Sequence, residues 1–362
     1  MNLYALIMAG GEGKRFWPLS TKDKPKQFLS LLGDKSLIRQ TVDRILPLIP
    51  IERVFIVTVK AYAEETLKHI PELPPKNLIL EPEGKNTAPC IAYGSLRIAA
   101  IDPDSVTVVL PADHAIGKEE EFRGVLKFSY EASVYELEEG ETPLITLGVK
   151  PTSPETGYGY IKAGCEEVIS SNDIKAYKAL KFTEKPDQDT AIKFLNEGDY
   201  YWNSGMFIWK TSSILREFAS LLPEWFASFS DVSTVIGKPE ESESVSMVYS
   251  KIKSGSIDKL ILERSDKTLV IPVEFPWSDV GSWKALYEYL SEGSNQNLTR
   301  GKTVSINSSS CLVMGEGRTV ALVGVSDLVV VDTEDALLVL NKESSQDVKK
   351  IVEELGKLGK SD

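Results

Sequence analysis

Residues 5–28 read ALIMAGGEGKRFWPLSTKDKPKQF, an apolar run that breaks into glycines and is followed by clustered cations and two prolines. Glycines after a strand let backbone N–H groups approach phosphate oxygens, and neighbouring cations neutralise the charge. Two familiar spacings do not fit. A P-loop ending at Gly13 and Lys14 would need glycine at Met8 and Ser or Thr at Arg15, and a dinucleotide fingerprint from Gly11 would need glycine at Phe16. Gly10, Gly11 and Gly13 nevertheless permit close backbone approach, while Lys14, Arg15, Lys24 and Lys26 bring positive charge to the same loop. It reads as a polyphosphate cradle of another kind, weighed against a turn with solvated lysines. Pro18 and Pro25 restrict the loop in a way that a simple chain reversal would not need. Arg15 and Lys26 are expected to be exposed, so that removing either should reduce turnover far more than stability.

Three more segments carry residue types suited to chemistry. In VVLPADHAI an apolar strand runs into Asp113, where a carboxylate could bind Mg²⁺ beside phosphates or, equally, cap a following helix. His114 is better explained by a loop hydrogen bond than as a base or ligand. In FTEKPD, Glu184 and Lys185 stand at a strand's end, the acid suited to sugar hydroxyls and the amine to a phosphate, although a surface ion pair is the commoner arrangement. In FPWSDVGSW, Asp279 is either a second metal carboxylate or the cap of the helix that follows.

The elements that must position these residues follow from periodicity. LYALIMA, RVFIVTV, NLILE, SVTVVLP and PLITLGV are short apolar runs, separated by stretches such as SLIRQTVDRIL and TAPCIAYGSLRIAA with helical spacing. This alternation predicts an α/β fold with a Rossmann-like, mainly parallel sheet and ligands at the C-terminal ends of its strands. After about residue 150 the rhythm changes to the strands GYGYIKAG and IKAYKALKFTEKP, then YWNSGMFIW and a largely helical stretch over 211–265, read as a substrate lobe. From about 295, beyond a polar linker, KTVSI, CLVMG, TVALVGV, DLVVVDT and ALLVLN form a small β module closed by an amphipathic helix. The expected domains are therefore 1–293, divided into 1–150 and 151–293, and 294–362. No residue beyond 293 is assigned to chemistry.

The chain has 362 residues, 42% hydrophobic and 26% charged, with a formal net charge of -12. That balance argues against a nucleic-acid partner, which needs a broad basic surface. Cys90, Cys165 and Cys311 have no short spacing, so neither a disulfide framework nor a zinc cluster is expected. No apolar run approaches the roughly 18 residues that span a bilayer. No membrane partner and a cytoplasmic location are expected.

Taken in order, GGEGKRFWPLS, KPKQF, EPEGKNTAPCIA, LPADHAI, TGYGYIK, FTEKP, NSGMFIW and WSDVGSW resemble the sugar-nucleotide pyrophosphorylases, specifically their mannose-specific, GDP-mannose-forming branch. The tail from GVSDLVVVDTEDALLV to QDVKKIVEEL is similar too, so the resemblance spans essentially the whole chain. It implies a nucleotidyltransferase domain followed by a β-helix-like module. It also implies a reaction in which α-D-mannose 1-phosphate attacks the α-phosphorus of GTP in line, with Mg²⁺ as cofactor and no covalent enzyme intermediate. By the same resemblance, Arg15 and Lys26 neutralise the triphosphate, Asp113 and Asp279 hold Mg²⁺, and Lys185 grips the attacking phosphate. Ala9, Gly10, Gly11, Gly13, Lys14 and Arg15 line the nucleotide. Guanine offers donors at N1 and N2 that match a carboxylate, which points to Glu81, with Asn86 and Thr87 near the ribose or base. Gly159, Glu184 and Asn203 are expected around the hexose hydroxyls. Some relatives add a cupin-type isomerase domain, which is not expected here, since His69 and His114 are the only histidines.

Other readings keep the chemistry and change the substrates, as in a thymidylyl- or uridylyltransferase, or keep the fold and lose the chemistry, as in a regulatory paralogue. The module's strands are more apolar than they can bury among themselves. Their remaining face needs the rest of the chain or a second subunit, and a homodimer is expected.

Overall fold

The structure is a computed structural model that describes residues 1–11, 13–137, 140–171 and 173–357, and of Lys14 the backbone alone. By its contacts the chain divides into two compact units, one of residues 1–10, 42–112 and 117–275, the other of 11–41, 113–116 and 276–362.

The first unit is built on a sheet that has nine strands among the described residues. In spatial order these are Leu78–Glu81, Val54–Val59, Leu3–Met8, Val106–Pro111, Tyr200–Lys210, Leu144–Val149, Thr268–Val273, Ile174–Glu184 and Gly159–Ser171. The first four pair in parallel, as do Leu144–Val149 and Thr268–Val273, while the later strands join antiparallel. Leu3–Met8 and Val54–Val59 are buried along nearly their whole length, which is why they read as continuous apolar runs and not as alternation. The helix Thr87–Ala99 packs into the same core through Ile91, Tyr93 and Ile98. Where Tyr200–Lys210 meets Leu144–Val149 the register shifts: Thr146 faces Phe207 but Gly148 faces Asn203. Leu147 alone therefore stands opposite Ser204, Gly205 and Met206, with Gly205 at φ 68°, so the NSG motif is a bulge that re-aims the strand next to Asn203.

In the second unit the short strands Ala115–Ile116 and Trp277–Ser278 pair antiparallel, which sets the segment following Asp113 beside the one preceding Asp279. The β module winds as parallel strands without intervening helices. Leu298–Arg300, Leu312–Gly315 and Leu328–Asp332 form one sheet, completed by the antiparallel Leu337–Asn341. Thr303–Ile306 and Val320–Val323 form a second. This is the expected β-helix-like arrangement, and Gly301 makes one of its corners: at φ 99°, a Cβ there would lie 2.4 Å from the Gly315 carbonyl oxygen.

The inner face of the module does not pack only on itself. Leu312, Met314, Val329, Val331 and Val348 share a core with Phe16 and Leu29 of the basic loop and with Trp283 and Leu286 of the helix Trp283–Ser291. Phe16 and Trp283 meet edge to face at 4.7 Å. Burying a side chain such as Phe16 contributes about 2–3 kcal/mol, so the module and the loop stabilise one another. Among the described residues, no helix is long and apolar enough to cross a membrane.

Candidate active site

The basic loop folds into two short 3-10 turns, Lys14–Phe16 and Lys26–Phe28, and Gly13 lets them close on each other. Gly13 has φ 62°, and a Cβ there would lie 2.3 Å from the Lys26 Cβ. No other residue fits without moving Lys26. Arg15, Lys26, Asp113 and Asp279 then line one cavity of about 360 Å³ together with Gly13.

Contrary to the expectation of an exposed loop cation, Lys26 is buried at 6% exposure. The reason is its partners: Nζ donates to Asp113 Oδ2 at 2.8 Å and to the Asp279 carbonyl, so the ammonium is solvated by the protein. Burial pushes the Asp113 carboxyl upward, but Lys26, His114 and the hydrogen bonds from Lys26 and its own backbone outweigh burial and hold it below the usual range. It stays an anion. Arg15 Nη1 donates to the Gly281 carbonyl at 3.3 Å, whereas its buried Nε has no hydrogen-bond partner among the described residues. A buried donor of that kind is suited to an incoming anion. Lys24 is exposed and does not line the cavity. The Lys14 side chain lies outside the described residues.

Neither carboxylate is a helix cap. The helix Glu119–Ser133 starts after Lys118, and Ser282 caps Trp283–Ser291 by accepting from the Ala285 amide at 3.2 Å. Asp279 Oδ1 accepts from the Gly281 amide at 2.8 Å. Between them Val280 is held at φ 46°, an unfavourable conformation for a β-branched residue, with its side chain fully buried. Two hard carboxylates, with no third metal-binding side chain grouped with them among the described residues, suit a small cation that shares its coordination with phosphates and water, as Mg²⁺ does. His114 takes the structural role expected of it, with Nδ1 accepting from the Trp277 indole at 3.3 Å.

In the first unit, Glu81 ends its strand almost fully buried, accepting from the Tyr249 hydroxyl at 2.8 Å. Burial raises its carboxyl from 4.5 to about 7, only partly offset by Tyr249. A Cβ on Gly10 would come to 3.7 Å from Glu81 Oε2, so the glycine leaves that oxygen uncrowded. Ala9 is bound into the sheet, its amide to the Val57 carbonyl and its carbonyl to the Thr58 hydroxyl. Gly11, at the start of the other unit, has open space around its Cα. Asn86 sits at φ 72°, ψ −172°, a region otherwise reserved for glycine, and caps the helix Thr87–Ala99. The Thr87 hydroxyl accepts from the Ile257 amide at 2.9 Å.

The same unit gathers Gly159, Glu184, Lys185 and Asn203. A Cβ on Gly159 would lie 2.8 Å from Glu184 Oε2 and 3.5 Å from the Asn203 Cβ. Lys185, at φ 46°, pairs with Glu184. Asn203 is fixed on both sides, donating to Asp258 Oδ1 at 2.6 Å and accepting from the Gly205 amide at 3.1 Å. Asp258 was not singled out in the sequence. It opens a one-turn π-helix, Asp258–Leu262, and burial with Glu184 nearby raises its carboxyl despite the Asn203 hydrogen bond. Tyr249 was also missed, because in the helix Glu241–Lys251 it reads as an ordinary core position.

The nucleotidyl transferase family model matches residues 4–296, and that of the mannoseP isomerase/GMP-like β-helix domain matches 301–355. A mannose-1-phosphate guanylyltransferase of Escherichia coli is 37% identical over 97% of this chain and 73% of its own length. One from Salmonella montevideo is 38% identical over 97% and 73%. A crystal structure described as a mannose-1-phosphate geranyltransferase from Thermus thermophilus superposes with a TM-score of 0.86 at 34% identity, covering 98% of this chain and all of that one. The chain belongs to the nucleotidyl transferase family and carries a mannoseP isomerase/GMP-like β-helix domain.

Proposed function

We propose that the protein transfers GMP from GTP to α-D-mannose 1-phosphate, giving GDP-mannose and pyrophosphate. The observation that carries this reading is the convergence of Gly13, Arg15, Lys26, Asp113 and Asp279 on one cavity. Nucleotidyl transfer needs no covalent help from the protein; it needs the attacking oxygen held in line and the charge on the transferring group neutralised. Arg15, whose buried Nε has no partner among the described residues, and Lys26 neutralise the triphosphate. Asp113 and Asp279 would hold Mg²⁺, which supplies Lewis-acid neutralisation of the phosphate oxygens. Lys185 engages the sugar phosphate, so Arg15, Lys26, Asp113 and Lys185 are the catalytic set.

Glu81 reads the guanine N1 and N2 donors as an anion, with Tyr249 fixing the carboxylate; Gly10 and Gly11 keep the backbone close, and Asn86 and Thr87 shape the pocket wall. Glu184 and Asn203, the latter locked by Asp258, take the hexose hydroxyls over Gly159. The domains are proposed as 1–293 for catalysis, with 1–150 for the nucleotide and 151–293 for the sugar phosphate, and 294–362 for the β module. The working form is proposed to be a cytoplasmic homodimer.

Pyrophosphate release, measured with GTP, dTTP, UTP and ATP against mannose 1-phosphate and glucose 1-phosphate, tests the reading. Preference for GTP with mannose 1-phosphate supports it. A preference for dTTP or UTP would replace it with another nucleotidylyltransferase, and no turnover with any pair would leave a sugar-nucleotide-binding regulator.

A further inference from the structure

Two groups of candidate site residues in the first unit, Glu81 with Thr87 and Asn203 with Glu184, are linked through a segment that has no regular structure of its own. Residues 253–256 run between the helix Glu241–Lys251 and the π-turn Asp258–Leu262 without helix or strand. Such a stretch has no ladder to satisfy its backbone, so its hydrogen bonds must come from elsewhere. They come from the loop that carries Thr87. The Gly255 amide and the Ser254 hydroxyl donate to the Lys85 carbonyl at 3.2 and 3.1 Å. The Ala88 amide donates to the Gly255 carbonyl at 3.1 Å, and the Ile257 amide to the Thr87 hydroxyl at 2.9 Å.

The Lys85 side chain completes the fastening. It is 17% exposed, and its Nζ donates to the Tyr249 carbonyl and to the Ile252 carbonyl at 3.0 Å. Tyr249 lies in the last turn of its helix and Ile252 caps it, where carbonyls lack a partner within the helix and carry the negative end of its dipole. The exposed Glu83 adds a carboxylate at 3.3 Å, a surface contact of small effect. A lysine ordinarily keeps its charged head in water. Held on main-chain carbonyls, this one fixes the end of the helix and the start of the segment at once.

Both ends of the arrangement reach a residue proposed to meet substrate. At one end Tyr249, whose carbonyl Lys85 holds, donates its hydroxyl to Glu81. At the other, Asp258 follows directly on Ile257 and accepts from Asn203 at 2.6 Å. Glu81 and Asn203 are thereby oriented by one continuous piece of chain, 249–258, and Lys85 is the side chain that clamps it.

We infer that Lys85 is a positioning residue that orients the base-reading and the sugar-binding groups together, acting on Glu81 through Tyr249 and on Asn203 through Asp258. The inference rests on the nucleotidyl-transfer reading above, and Lys85 is assigned no contact of its own with either substrate.

Steady-state kinetics of the full-length protein test it. Lys85→Met is expected to raise KM for GTP and for mannose 1-phosphate alike, each roughly five- to tenfold, as for loss of a charge-assisted anchor. The turnover number should stay within about threefold, because the cavity of Lys26 and Asp113 is untouched. Double-mutant cycles give the readout that a general loss of stability would not move. The GTP effect of Lys85→Met is expected to be largely absent in a Tyr249→Phe background, and the mannose 1-phosphate effect largely absent in an Asp258→Ala background, while each persists in the other. Ser254→Ala, which removes one hydrogen bond at an exposed position, should give the same paired rise at about two- to threefold, and it carries the test should Lys85→Met not fold. Lys253→Ala, which removes an exposed cation from the same segment, should leave both constants as they were. A rise for one substrate only, no rise in either variant, effects that add in full in both cycles, or an equal change in Lys253→Ala would each overturn the inference. If the unaltered protein prefers another nucleotide or hexose phosphate, or binds them without turnover, the substrate assignment fails instead. The same ratios, taken as KM or as dissociation constants with the preferred pair, then still decide the role of Lys85.

Discussion

On the proposed reading Glu81 must be an anion, in a place that favours the acid. Its carboxyl lies near 7 in the folded protein against 4.5 in its ordinary state, so the folded form binds the proton more tightly than the unfolded chain. The stability tied to that proton is complete below about 4.5 and is lost as pH rises through about 7, amounting to about 3 kcal/mol over that window. Glu81→Gln has no such dependence. Urea unfolding at pH 5 and pH 8 should therefore show the variant gaining relative to the unaltered protein at the higher pH, and an equal difference at both would remove Glu81 as the group responsible. Guanine binding has the opposite sign. If the proposed role holds, the base needs the carboxylate, so KM for GTP should fall as pH rises through about 7, and Tyr249→Phe should move that fall to higher pH by removing a hydrogen bond that favours the anion. Lys26 illustrates what residue types alone do not give. Its place in a basic, glycine-rich loop was legible, but its burial was not, because the partners that make burial tolerable come from positions 113 and 279. Lys26→Ala is accordingly expected to lower stability by about 1–3 kcal/mol as well as turnover, since it strands a partly buried Asp113. Differential scanning calorimetry beside turnover checks both losses; an unchanged melting temperature would count against the buried pair.

At the scale of elements, the strands and helices were legible because burial on both faces leaves continuous apolar runs and helix packing leaves a 3.6-residue period. The connections that do the positioning were not. Asn86, Lys185 and Val280 all adopt positive φ at three of the segments singled out for chemistry, and a single sequence does not announce that a valine will be held there. Tertiary packing bears that cost: Val280 is locked in the core beside Trp283. The NSG bulge is similar, since its glycine was visible but the register shift depends on the partner strand. Gly13 is the element-scale position where glycine is demanded twice, by φ and by the Lys26 Cβ. Gly13→Ala should destabilise the protein by about 1–3 kcal/mol and weaken GTP binding by displacing Lys26. Thermal melts and GTP titrations on the same preparation test this, and a variant with normal affinity would show that the two turns can separate without harm to the site.

At the scale of the whole molecule, the β module was legible as a unit from its evenly spaced short strands, but its relation to chemistry was not. Apolar strands need cover, and the sequence leaves open what supplies it. Half of the answer lies in the core it shares with Phe16, Leu29, Trp283 and Leu286. The other half is the sheet of Thr303–Ile306 and Val320–Val323, whose register sets Ile306 opposite Val323 with Val304 on the same face, and these three are 56%, 67% and 56% exposed. Scattered exposed apolar residues are ordinary, but three β-branched side chains on one face of a two-stranded sheet form a contiguous patch that water solvates poorly. An identical face on a second copy would cover it with a two-fold arrangement, as most homodimers do. Ile306→Glu with Val323→Glu should therefore convert a dimer to a monomer in light scattering, because like charges would meet across the shared face, while the melting temperature measured at low concentration stays nearly constant since neither side chain is buried within the chain. A monomeric unaltered protein, or a double variant that stays dimeric, would take this face out of any subunit contact.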